Sequence, residues 1–210
     1  MNGGFAIIMY ETGEVTDTLT VSDGSKVKFN MVTKSNYPLE GTINADIKVS
    51  ETKKFAIHLR VPGWSQNFSA TVNGQIYKGV TGKFLTIERE WKTGDKVAIS
   101  FGMPVQIISG GFSYPNSFAV KRGPQVLSLD ASLNPEIKES DEIKLEFQDN
   151  IPLKDISYTL PSSWSWKQAY ELMAKINGKS QKIILVPFAE AGQTASEVMV
   201  WFKSNQANFK

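Results

Sequence analysis

A chain of 210 residues, 41% hydrophobic and 11% aromatic, has enough apolar side chains to pack one large domain or two ordinary ones. Its net charge of +2, with no run of five basic residues, argues against nucleic-acid binding, which needs clustered phosphate contacts. No apolar stretch approaches the about 20 residues of a membrane span, and the lack of cysteine excludes disulfides and Cys-ligated zinc within this chain. The N-terminus has no basic region leading into an apolar core and cleavage site, so no signal peptide is read. Bacterial cytoplasm and periplasm both stay open as the compartment.

The elements read as strands from the start. After a turn at Ser22-Asp23-Gly24-Ser25, Val27, Phe29 and Met31 alternate with polar neighbours. Ile43, Ala45, Ile47 and Val49 repeat the pattern against Thr42, Asn44, Asp46 and Lys48, and Phe55, Ile57, Leu59 and Val61 do so against Lys54, Ala56, His58 and Arg60. A period of two puts each apolar set on one face, as a half-buried antiparallel strand requires. Asn73-Gly74, between Ala70-Thr71-Val72 and Gln75-Ile76-Tyr77, predicts a two-residue hairpin turn. Thr93-Gly94-Asp95 turns into Val97, Ile99 and Phe101.

Ser109-Gly110-Gly111 suits a connector between two strand-rich halves. Beyond it, Ile143, Leu145 and Phe147 alternate, while residues 130–165 otherwise read only as strand and loop. Trp166, Ala169, Tyr170, Met173 and Ile176 stand at helical spacing, with Ser165 and Gln168 as a capping box. Yet Ile176-Asn177-Gly178-Lys179 leads into the apolar run Ile183–Val186, a hairpin signature, so residues 169–176 are read as strand. The fold expected is all-β: two consecutive antiparallel β-sandwich domains of jelly-roll type, residues 1–109 and 110–210.

Candidate chemistry is sparse. His58, the single histidine, lies on the polar face of its strand with no second histidine or cysteine to make a ligand set. Glu88 and Glu90 share a strand face about 7 Å apart, a spacing inverting glycosidases use. Two acids on one strand do not flank a bond from opposite sides, however, and Arg89 and Lys92 are at hand to pair with them. Asp141, Glu142, Asp149, Asn150 and Asp155 offer loop oxygens for a structural calcium ion, without EF-hand spacing; solvated loop acids are the plainer reading. Of Trp64, Trp91, Trp164 and Trp166, the pair Trp164 and Trp166 shares one face if extended and is the candidate sugar-stacking platform. Packing is the commoner fate of tryptophan. Arg60 and Arg122 are the candidates for an interdomain contact, together with Trp64, which Pro62 and Gly63 would swing over a sheet edge.

Four segments in order carry a family resemblance. Phe5-Ala6-Ile7-Ile8-Met9-Tyr10, Asn36-Tyr37-Pro38-Leu39-Glu40-Gly41, Leu59-Arg60-Val61-Pro62-Gly63-Trp64 and Lys121-Arg122-Gly123-Pro124 resemble the C-terminal β region of glycoside hydrolase family 127, the β-L-arabinofuranosidases. Leu185-Val186-Pro187-Phe188, Ala191-Gly192-Gln193-Thr194 and Met199-Val200-Trp201-Phe202 resemble the family's closing segment, whereas residues 130–184 match loosely. The resemblance implies an (α/α) barrel ahead of this region, holding a zinc-bound cysteine nucleophile and the catalytic acids. This chain would be the non-catalytic part that buttresses such a barrel, its main partner, and takes part in dimer contacts; zinc would belong only to the barrel. The intact enzyme would release L-arabinofuranose from plant-type glycans. An orphaned barrel-facing patch predicts self-association of the chain alone. The competing expectation is an independent carbohydrate-binding module built on Trp164 and Trp166.

Overall fold

The computed structural model describes residues 4–146, 151–160, 163 and 167–204. Every element among them is a β-strand or a three-residue 3-10 turn, arranged in three sheets. The chain divides into two compact units, Met1–Pro104 and Val105–Lys210.

The first unit holds two sheets around one core. Strands β1 (Gly4–Ile7), β5 (Lys53–Arg60) and β8 (Phe84–Trp91) form the smaller, in which β1 runs parallel to β5 and β8 antiparallel. The larger comprises β2 (Gly13–Thr20), β3 (Lys26–Ser35), β4 (Thr42–Val49), β6 (Gln66–Val72), β7 (Gln75–Lys78) and β9 (Lys96–Gly102), in the order β2-β3-β4-β9-β6-β7. The alternation read from sequence is the burial seen: Ile43, Ala45 and Ile47 face inward from β4, and Phe55, Ile57 and Leu59 from β5. They meet in a single apolar cluster, where Phe29 of one sheet packs edge-on against Phe55 of the other at 5.7 Å. Each such fully buried side chain contributes about 1.5–3 kcal/mol. Asn73 and Gly74 turn β6 into β7 with φ of 48° and 89°, the left-handed pair a two-residue hairpin needs.

The second unit is built on one curled sheet. Its path runs β10 (Val105–Ser109), β11 (Ser117–Arg122), β12 (Gln125–Asp130), β16 (Lys179–Pro187), β15 (Tyr170–Ile176) and β13 (Ile143–Leu145). The predicted strand over 169–176 is β15, and Asn177-Gly178 turns it into β16. Gly110-Gly111 lies in the loop joining β10 to β11, inside this unit, and Gly123-Pro124 is the two-residue turn from β11 to β12. In the loosely read stretch, β14 (Lys154–Asp155) pairs with β15 ahead of the 3-10 turn Ser157–Thr159; Phe147 lies outside the described residues.

One connection had no sequence signal. The β11–β12 hairpin pairs only near its turn, and the last strands among the described residues fill the gap beyond. β17 (Val198–Met199) pairs with the end of β12 and β18 (Phe202–Lys203) with the start of β11, both remote from the turn. From Leu127 to Asp130, strand β12 is buried on both faces. Leu127 and Leu129 enter the main cluster, with Phe118 and Phe202, while Val186 of β16 joins Ile156 and Ala169 in a smaller cluster.

Candidate functional site

The outer face of β1-β5-β8 gathers most of the first unit's candidate residues. Register places Gly4, Ala56 and Glu88 side by side, then Ala6, His58 and Thr86, and Arg60 opposite Phe84, with Ile8 following the Ile7–Leu59 pair. Because Ile7, Leu59 and Ile87 point inward, the period of two turns the other set outward. Small residues, Gly4 and Ala6, make up its β1 edge. A Cβ on Gly4 would lie 2.7 Å from the Ala56 carbonyl and 2.9 Å from His58 Nε2, so this position has no room for a side chain. His58 Nδ1 stands 2.9 Å from Thr86 Oγ1, a local partner rather than a ligand set. Glu88 is exposed and pairs with Lys54 at 3.7 Å, a contact worth about 0–1 kcal/mol.

At one end of this face Arg60 is flanked by exposed apolar side chains, Ile8 at 55% and Phe84 at 40%. Its backbone carbonyl accepts the Tyr10 hydroxyl, but its guanidinium makes no hydrogen bond or ion pair with a described residue. Burial pushes the Tyr10 and Tyr37 hydroxyls above their ordinary values, and the Arg60 charge pulls the other way on both.

Trp64 lies beside that end. Its ring stacks parallel to Tyr37 at 6.4 Å, and both stand edge-on to Phe101. Two of the segments that carry the family resemblance, Asn36–Gly41 and Leu59–Trp64, thus meet on one ring. Gly41 is fixed by this approach: a Cβ there would fall 2.0 Å from the Phe101 carbonyl oxygen, which no rotamer change relieves. Pro62 ends β5 as predicted by lacking an N–H, and its carbonyl accepts both Ser65 N and Ser65 Oγ. Gly63 is not what permits the bend, since its φ is ordinary and a Cβ would meet nothing within 4 Å.

In the second unit Arg122 is half-buried, 5.3 Å from the Tyr170 ring centroid, and donates to Gln125 Oε1 at 3.3 Å. Gln125 donates to the buried Gln168, which donates to Tyr170 Oη, so the arginine's charge is engaged inside its own unit. Trp164 and Trp166 lie outside the described residues, as do Asp149 and Asn150. The remaining calcium candidates cap turns. Asp141 accepts Lys138 N and Asn177 Nδ2, Asp155 accepts Ser157 N and Oγ, and Glu142 N donates to Asn177 Oδ1. No group of three His, Cys, Asp or Glu stands together among the described residues, and with no thiolate in the chain its residues do not fit the family's zinc centre.

Two buried acids escaped the sequence reading. Asp95, 1% exposed, accepts Asn73 Nδ2 and Lys92 N and lies 3.9 Å from Arg89, which also covers Trp91. Asp130, at the end of β12, accepts Ser132 N and Oγ, Ser196 Oγ and Gly192 N, tying the 192–196 loop to the sheet. Burial alone would raise its pKa; the hydrogen bonds outweigh that and hold it below the ordinary carboxylate range.

Residues 14–103, which include this aromatic end and all of the larger sheet but Gly13, match the family model described as Beta-L-arabinofuranosidase, GH127 middle domain. The family match falls within the first unit. Among solved structures the chain is similar to a glycoside hydrolase at 24% identity and TM-score 0.72, covering 95% of this chain and 35% of that one. It is similar to a GH127 β-L-arabinofuranosidase from Geobacillus Stearothermophilus T6 (17% identity, TM-score 0.67, 98% and 34% covered). A third, the GH127 β-arabinofuranosidase BT3674, aligns at 21% identity and TM-score 0.72 over 97% and 35%. No curated protein matches significantly. Nearly the whole chain therefore shares the fold of a region that spans about a third of these larger proteins, and what it matches is an accessory, non-catalytic β portion.

Proposed function

We propose that this chain is the accessory β scaffold of a GH127-type β-L-arabinofuranosidase, and that the outer face of β1-β5-β8 seats against the catalytic barrel. In this reading the two units are consecutive β-sandwich domains of jelly-roll type, dividing near residues 104–110. The observation that carries it is the exposed row Ile8, Arg60 and Phe84: an arginine without a partner among the described residues, bracketed by two large apolar side chains. Such a row costs solvation when bare and gains most when a facing surface supplies a carboxylate and apolar cover, a geometry guanidinium satisfies bidentately. Trp64 and Tyr37 brace the end of that face, and Arg122 keeps the β11–β12 turn in shape for the same assembly. The parent enzyme would release L-arabinofuranose from plant-type glycans, with zinc and the nucleophile in the barrel. The exposed row also favours self-association of the chain in isolation, and dimer contacts in the parent.

Co-expression with the polypeptide encoded directly upstream tests the reading. Stable co-purification is expected, weakened about tenfold or more by Arg60→Ala, a change that leaves the chain's own melting temperature nearly unmoved. An upstream polypeptide that does not associate, or association indifferent to Arg60→Ala, contradicts it.

A further inference from the structure

The second unit holds a cleft of about 530 Å³ that the scaffold role does not use. Its volume falls in the range of small-ligand sites, about 300–1,000 Å³. One wall is a pair of stacked rings, Tyr114 and Trp201, with centroids 4.7 Å apart and planes 13° from parallel. Trp201 is set by register: Met199 before it pairs with Leu129 of β12, and Phe202 after it pairs with Phe118 of β11. Tyr114 comes from the β10–β11 loop and is 49% exposed. Leu129, itself in the core, forms part of the lining. The lining also includes Glu139, Glu197 and Lys203, whose side chains make no hydrogen bond or ion pair with a described residue.

We propose that this cleft binds a neutral, hydroxyl-rich oligosaccharide. A sugar ring presents apolar C–H faces and a rim of hydroxyls, so it needs an aromatic wall with hydrogen-bonding groups beside it. The stacked rings supply the wall, pre-ordered by their own contact. The two carboxylates accept hydroxyl hydrogens, and the lysine donates to a hydroxyl or ring oxygen. Two carboxylates against one ammonium disfavour anionic ligands, which sets uronates, sulfated glycans and nucleic acid apart from neutral sugars. The tryptophan of this cleft is Trp201; Trp164 and Trp166, the pair expected from sequence, lie outside the described residues.

Calorimetric titration of the purified chain with arabinotriose, xylotriose and cellotriose, and with trigalacturonate as the anionic control, tests the site. Saturable binding of at least one neutral trisaccharide at concentrations up to about 10 mM, with a change in tryptophan fluorescence and no binding of trigalacturonate, is expected. Tyr114→Ala, at an exposed position that leaves the circular dichroism spectrum unchanged, weakens binding about fivefold, and Glu197→Gln weakens it as well. The absence of binding by all three neutral sugars overturns the proposal, as does equal binding of trigalacturonate. Affinity unchanged in Tyr114→Ala, which would mark adventitious contact elsewhere, overturns it too. None of these results bears on barrel association, so the two readings fail separately.

Discussion

At the scale of single residues, the buried carboxylate of Asp130 binds the 192–196 loop to its sheet. Four donors converge on its two oxygens, from Ser132, Ser196 and Gly192. An amide at this position offers one acceptor and sets an N–H pair against donors that need an oxygen. Asp130→Asn is therefore expected to cost about 2–3 kcal/mol at pH 7 in urea unfolding. The pH dependence follows from the depressed folded-state pKa. The stabilisation is complete above the unfolded value of about 3.9 and is lost as pH falls from there through the folded pKa. The gap between wild type and Asp130→Asn should accordingly close in that acid window; a gap that stays constant down to the acid limit would mean the charge of Asp130 stabilises nothing. Nothing in the local sequence marks this residue, because its donors arrive from positions 132, 192 and 196. Gly63 teaches the converse: a glycine beside a proline suggests a glycine-dependent bend, and the backbone there needs none.

At the scale of elements, what neighbours in sequence decide was legible and what distant segments decide was not. Alternating runs such as Ile43–Val49 and Phe55–Val61 became strands with the expected inward faces, and Asn73-Gly74 and Asn177-Gly178 became hairpin turns. The helical spacing from Trp166 to Ile176 lost to the hairpin, because β15 gains a full ladder against β16. The closing segment Val198–Lys203 carries no comparable local signal, since its two short strands exist only by completing the gap between β11 and β12. Phe202, fully buried against Phe118 at 5.3 Å, anchors that insertion. Phe202→Ala should cost about 3–5 kcal/mol by thermal or denaturant unfolding, far above a surface substitution. A cost below about 1 kcal/mol would show that β18 is not needed to close the sheet.

At the scale of the whole molecule, all-β architecture and kinship with GH127 were legible because they are spread over many residues: strand periodicity along the chain, and short ordered segments that fold onto shared features such as the Phe101 ring. The candidate sites were not, because each depends on what the fold brings together. The row Ile8, Arg60 and Phe84 comes from two strands and the residue that follows a third, and the Tyr114–Trp201 stack joins a loop to the closing segment. The described residues are strands and short turns that match the middle domain and β portion of larger enzymes. The function proposed for the chain is that of a scaffold whose chemistry is done by other polypeptide. The most direct measurement is hydrolysis of a β-L-arabinofuranoside, with zinc and reductant present, by the purified chain alone and after reconstitution with the upstream polypeptide. The account predicts no release of arabinose above buffer from the chain alone and turnover only in the reconstituted complex. Zinc-stimulated release by the 210 residues on their own would contradict it.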